Sequence, residues 1–480
     1  MELKHEGVHM PDDRPLEMRI NNARQLAEEF EQGISGSAEE NNRRKVPISR
    51  VTGHVARYLA LFNNQDELRE APTLMLDRLL LEDRLVLPPG SYPSIRLNNV
   101  ACRAGLQLSD AKVCGTLTLH NLNSATHADL SVALTKVAVE SQFLVVNCLA
   151  NEIALHGCSL QDIDIRAQVR QVQIDDGSNV RGICNISAVH DIAISAVDFS
   201  GRVTFTSDGH SEISIGDATF SELVMFAAGQ PMESLRIHNT QFQKGFSIGA
   251  PVRGDAEFRC VKFFVRANFQ KAEFGGRTSF DDSEFHCAPE FFGATLFPDT
   301  AFQKAKFLVF KGESEYAAYR ELRHLSHNML KSAQDESRFF AYEQRALASV
   351  QVKTNGNRFE GYLSKLYGLA SDYGQSIFRP LGTLIGASVF FAVIYEIIPD
   401  AIVVADEVAK ASAWHLRTPK SLGLALQNLF QPFAIFGKGQ AYIPSSGLVV
   451  ALSVVQTLLS LVLFALLVLA IRRRFRKGSE

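Results

Sequence analysis

From residue 256 to 307 the sequence repeats on a short fixed period: AEF, VKF, ANF, AEF, TSF, SEF, PEF, ATL, TAF and AKF follow in order. The bulky member falls at Phe258, Phe263, Phe269, Phe274, Phe280, Phe285, Phe291, Leu296, Phe302 and Phe307, so the gaps alternate between five and six residues without a break. Two positions earlier in each unit sits Ala, Val, Thr, Ser or Pro. No helix has this period, and a simple alternating strand does not keep a small residue at a fixed offset. The pattern requires a repeat architecture in which short strands stack coil on coil. One bulky and one small residue per strand point inward, the residues between them face water, and the Phe side chains form a ladder roughly 4.8 Å apart. Fainter versions run upstream through Leu97, Leu108, Val113, Leu119 and Leu130, then Ile194, Phe199, Phe205, Ile215 and Phe220. At about 22 residues per coil, residues 95–311 predict on the order of ten coils. The composition follows from this: of 33 Phe, 15 lie between 242 and 310.

The units ANFQKAEF and TAFQKAKF resemble those of the pentapeptide-repeat family, A-(D/N)-(L/F)-x-x. The resemblance implies an all-β, right-handed quadrilateral β-helix. The extra residue in every second unit departs from the family's pattern. Earlier stretches (VCGTLTL, ALHGCSLQDIDI, ISAVDFSGRVTF) match it loosely, which predicts irregular coils or bulges there. Some soluble members resemble DNA in shape and charge and bind topoisomerases. That mimicry needs a strongly acidic rod, whereas residues 91–310 sum to only about −5.

Flanking segments complete the domain plan. Residues 1–50 read as a disordered or partly helical tail, with GISGSAEENNRRK (33–45) as a linker, and 51–94 as an N-terminal cap of helix or first strands. After the repeat, residues 312–376 read as a helical cap or connector. Tyr316, Tyr319, Leu322, Leu325 and Met329 mark one face of a helix, SAQDES (332–337) a turn, and Phe339, Phe340 and Leu347 a second helix. Such helices would cover an open β edge or couple the solenoid to the last domain, residues 377–480.

That domain holds two apolar segments. Leu381–Ile398 is apolar except for Glu396, and Leu448–Ile471 runs 24 residues without a charge. Both approach the roughly 20 apolar residues that cross a bilayer. RRRFRK (472–477) follows the second and predicts a cytoplasmic carboxyl terminus. Two spans then return the amino terminus to the same side, in keeping with an N-terminal stretch that has no secretory signal pattern. Scattered single cysteines fit reduced thiols. Between the spans, Trp414 reads as an interfacial anchor. SLGLALQNLFQPFAIFGKGQ (421–440) is too short to span. It reads either as an interfacial amphipathic helix on the outer leaflet or as a re-entrant half-helix broken at Pro432 and followed by a bend at Gly437 and Gly439. Span, half-helix, bend, span is the layout of a two-span ion-channel pore, although IFGKG (435–439) stands where a cation filter would be. Gln427, Asn428, Pro432, Phe436, Gly437, Gly439 and Gln456 are therefore the candidate pore or oligomer contacts.

Residues 338–347 (RFFAYEQRAL), 366–381 (LYGLASDYGQSIFRPL) and 425–433 (ALQNLFQPF) resemble a membrane-bound bacterial pentapeptide-repeat subfamily with such a two-span module. The resemblance implies an inner-membrane protein with a cytoplasmic solenoid and no enzymatic activity. HEGVH (5–9) fits HExxH formally, but Gly7 inside it and Pro11 after it argue against a zincin helix. There is no GxSxG, P-loop or dinucleotide fingerprint, and a net charge of −3 argues against a nucleic-acid binder. The expected function is a non-enzymatic scaffold or sensor without cofactor or metal, embedded in the lipid bilayer, whose solenoid binds a cytoplasmic protein. The alternative is a gated pore, which demands a homo-oligomer, a tetramer in the simplest case, because one two-span chain cannot enclose a channel.

Overall fold

A computed structural model describes residues 14–35, 37, 39–40, 43–103, 105–124, 130–207, 209–227, 229–353, 358–398, 402–404, 419–431 and 442–476. The chain divides into two units, Met1–Val309 and Phe310–Glu480.

In the first unit, helices α1 (Leu16–Ile34), α2 (Ile48–Leu59) and α3 (Gln65–Glu70) precede the sheet. Helix α2 buries Val51, Val55 and Tyr58 on one face, and Arg19 of α1 forms a two-pronged ion pair with Glu67 of α3 at 2.6 and 2.8 Å. A parallel β-solenoid of about 11 turns follows. It begins at Leu74–Asp77, which pairs in parallel with Ile95–Asn98, and not at Ile95. The cap predicted over 51–94 is thus helical only in its first part. LMLDRLLLEDRLVL alternates buried and exposed residues, with Leu74, Leu76, Leu79, Leu81, Leu85 and Leu87 inside, and forms the first coil. The strand Arg43–Lys45 pairs with Leu79–Leu81 and covers part of that coil's edge. Arg43 reaches across two further coils, donating to the Asn99 carbonyl and to Asn123 Oδ1, each at 3.0 Å.

The upstream coils are irregular. Long strands Ala138–His156 and Ser159–Asp175 pair with shifts of register after Val139 and Val146, and Ser159–Asp175 pairs with Cys184–Ser195 with a further shift after Arg166. From Ala256 onward the step settles at 22 residues, as in the pairing of Ala256 with Thr278 and the bond from Arg277 N–H to Asp255 Oδ1. One column of bends carries a left-handed residue in nearly every coil: Asp110, Lys136, Asp176, Ala196, Asp217, Asn239, Cys260, Asp282 and Lys304, with φ between 47° and 56°. A single such residue turns the chain while its N–H still reaches the carbonyl of the next coil, as Asp217 reaches His238 at 3.2 Å. Asn and Asp recur there because their short polar side chains tolerate this conformation best after glycine.

Inside, the aromatic rungs stack in register. Phe258, Phe280 and Phe302 lie 4.9 and 5.0 Å apart with near-parallel rings, and Phe263, Phe285 and Phe307 are 5.0 and 5.1 Å apart. Phe269 stacks on Phe291 at 4.6 Å. All ten ladder positions from Phe258 to Phe307 are buried.

In the second unit, α4 (Glu313–Asn328) and α5 (Ala333–Lys353) pack together through Tyr319, Tyr342 and Phe310, with the Arg345 guanidinium over the Phe310 and Tyr342 rings. Helix α6 (Arg358–Ser371) leads through a turn at Asp372–Gly374 into α7 (Phe378–Ile397). Helix α8 (Lys420–Phe430) and helix α9 (Gly447–Arg476) complete it, and a short antiparallel pair joins Ile402–Val404 to Tyr442–Pro444. Two of these helices, α7 and the Gly447–Arg472 part of α9, are long and apolar enough to cross a membrane.

Candidate functional site

The two long helices run antiparallel: Tyr395 of α7 meets Gln456 of α9, and Leu384 packs with Leu463. Helix α8 lies along both. Its first half, Leu424 and Ala425, packs among Phe391, Ala392, Tyr395, Tyr442 and Val449. Its second half, Leu429 and Phe430, reaches Leu384, Ala387, Leu463 and Phe464. Eleven residues of helix cover about 16 Å, roughly half a bilayer core. The apolar face of Leu424, Ala425 and Leu429, interrupted by the amide of Asn428, is thus covered by both long helices.

That amide organises the site. Tyr395 donates its hydroxyl to Gln456 Oε1 at 3.0 Å, and Asn428 Nδ2 donates to the same oxygen at 3.1 Å. Gln456 Nε2 in turn donates to the Ala425 carbonyl at 2.9 Å. Asn428 and Gln456 are 2% and 1% exposed, so these bonds are made without competing water. Gln427, on the neighbouring face, pairs with the Tyr442 backbone in both directions: its Oε1 accepts the Tyr442 N–H at 3.0 Å, and its Nε2 donates to the Tyr442 carbonyl at 3.1 Å. Gly423 makes this approach possible, because a Cβ there would lie 2.2 Å from Cζ of the Tyr442 ring.

Three of the candidate contacts thus come together, Gln427, Asn428 and Gln456, and all bond within one chain. Within the chain, both ends of the Gln456 amide are bonded, to Tyr395, Asn428 and Ala425. Pro432, Phe436, Gly437 and Gly439 lie outside the described residues, as do Trp414 and the HEGVH stretch. Sequence reasoning missed Tyr395 and Tyr442. A tyrosine one position from Glu396 near the end of an apolar span was the available signal for the first. Nothing in the sequence pointed to the second.

The solenoid surface carries two further constellations that no linear motif shows. Coil register brings His156 beside Asp175, a direct hydrogen-bonded contact, with Asp176 Oδ2 3.8 Å from the same ring nitrogen. These three half-buried to exposed groups are the described residues that could hold a metal ion. A groove of about 410 Å³ is lined by Lys112, Glu140, Ser159, Gln161 and Arg181. Glu140 is bridged by Lys112 at 2.6 Å and Arg69 at 2.8 Å, and the Lys112 bond foremost holds its carboxyl below the usual range. The buried thiols Cys148 and Cys158 are pushed up to about 11 and Cys102 to about 12 by burial, which makes them structural rather than nucleophilic. No protein-family model, curated relative or solved structure matches this chain.

Proposed function

We propose that the protein is a non-enzymatic membrane protein whose two-span module assembles, in several copies, around a gated opening, with the β-solenoid as its cytoplasmic scaffold or sensor. The observation that carries this is the depth of α8: a half-helix lodged against both long helices, ending near Leu384 and Leu463. A protein that needed only an anchor would have no reason to bury an interrupted helix and its amides at membrane depth, where loose backbone survives only inside protein or beside water. In this reading residues 421–440 are the re-entrant pore element, as their sequence layout suggests, and the ring is homo-oligomeric. The amino and carboxyl termini are cytoplasmic and the membrane is a bacterial inner membrane. The solenoid is a right-handed quadrilateral β-helix of the pentapeptide-repeat type.

The test is flux through liposomes containing the purified full chain, with Phe436→Ala and Gly437→Ala as comparisons. Flux that either substitution alters supports the pore, and absence of flux under every voltage and osmotic condition refutes it. A second reading, a simple membrane-anchored scaffold for a cytoplasmic protein, is favoured by one observation. The Tyr395–Asn428–Gln456 network is satisfied internally and presents no amide to a neighbour. A monomeric protein without flux would fit that reading.

A further inference from the structure

Helix α6 exposes five large apolar side chains: Phe359 (79%), Tyr362 (56%), Leu363 (56%), Leu366 (61%) and Leu369 (71%). At 100° per residue they occupy an arc of about 120°. The opposite face is committed. Gly361 admits Val352, whose backbone nitrogen would lie 2.9 Å from a Cβ, and Gly368 admits the Tyr373 ring. The exposed stripe is therefore not a poorly packed core face but the outer side of a helix already seated on α5.

Its neighbours indicate what covers it. Ala370, near the end of α6, packs on the cluster of Leu384, Leu429 and Leu463, within the two long helices. Asp372, in the turn that follows, pairs with Arg345 and lies 3.5 Å from Arg379 of α7. The stripe thus meets the long helices at their charged end, where lipid headgroups must lie if α7 and α9 cross a bilayer. Phe378, Leu381 and Ile385, in the first turns of α7, are exposed as well and would face acyl chains. Lys365 flanks the stripe with its ammonium 5.8 Å from the centre of the Tyr362 ring, the arrangement of a cation held at headgroup level above an apolar body.

We propose that α6 is an interfacial helix, lying along the headgroup–acyl boundary of the bilayer with Phe359, Tyr362, Leu363, Leu366 and Leu369 among the lipid chains. This rests on the two-span membrane reading. The pairs of Asp372 with Arg345 and Arg379 tie that boundary position to α5 and α7.

The test uses the full chain in phosphatidylcholine vesicles. Trp414 is the chain's single tryptophan, so Trp414→Phe gives a silent background. Leu363→Trp reports on α6 and Leu459→Trp on α9, in lipids brominated near the headgroup or near the chain end. The expected result is that Leu363→Trp is quenched by headgroup-proximal bromines roughly twofold more than by deep ones, with the opposite order for Leu459→Trp. Quenching of Leu459→Trp without Leu363→Trp overturns the interfacial helix and leaves the spans standing. Quenching of neither overturns the membrane reading itself. If Leu363→Trp is unquenched but its emission shifts red as the protein is diluted into more lipid, the stripe binds a second copy, which also overturns the proposal. Leu366→Trp provides the same reading should the first variant fail to reconstitute.

Discussion

Replacing Gln456 by leucine should release α8 from the long helices. The substitution nearly conserves volume, so the cavity contribution is small and the loss is polar. Three bonds disappear: those from Tyr395 and Asn428 to Oε1, and that from Nε2 to the Ala425 carbonyl. Hydrogen bonds between membrane helices contribute about 0.6 kcal/mol on average and about 1.7 at most, so three give about 2–5 kcal/mol. The low end corresponds to a roughly 30-fold rise in local opening. Hydrogen–deuterium exchange on the full chain in nanodiscs reads this directly from peptides covering residues 420–430. The Gln427 bonds to Tyr442 remain, so the helix should open without the whole unit unfolding. Asn428→Leu combined with Gln456→Leu should cost less than the sum of the two, because their shared bond is lost once. Opening of Gln456→Leu within about threefold of the parent would show that the network does not hold α8, and the argument from its depth would fall with it.

Phe280→Ala removes a ring stacked at 4.9 and 5.0 Å on Phe258 and Phe302, and should cost about 3–5 kcal/mol. The exchange increase should stay within adjacent coils, because each coil contacts only its neighbours; a uniform increase along the solenoid would contradict this. Burial, with a smaller contribution from Arg57, pushes His54 down to about 4. The unfolded chain takes up a proton near 6.5 and the folded one does not. Stability of the α1–α3 region is thus intact above that pH and falls by about 3 kcal/mol as pH drops to 4. His54→Leu should flatten that dependence in a thermal-melt series. In native protein at neutral pH, maleimide should modify exposed Cys260 and part-exposed Cys287 quickly and leave buried Cys102, Cys148, Cys158 and Cys184 unmodified, as counted by intact-mass spectrometry.

The ladder from Phe258 to Phe307 could be read from sequence because each rung depends on a local period, and a period survives in one dimension. The same holds for the apolar runs that become α7 and α9, since length and absence of charge are properties of a segment alone. Leu74–Leu87 was harder: a leucine-rich stretch fits a helix or a strand, and only pairing of Leu76 with Leu97 selects the strand. The irregular coils before Ser195 lacked a fixed step, so which residues stack there is set by bulges at Val139, Val146 and Arg166.

The candidate site divides along the same line. Residue type and local hydropathy mark Gln427, Asn428 and Gln456 as amides in apolar surroundings, and such amides must find partners. The sequence could not say which ones, because Tyr395 and Gln456 are 61 positions apart and meet only when α7 and α9 pack antiparallel around α8. His156 with Asp175, and the exposed stripe on α6, belong to the same class. Burial, exposure and hydrogen-bond partnership are relations between distant segments, and a pattern local to the chain carries no record of them until the segments are packed.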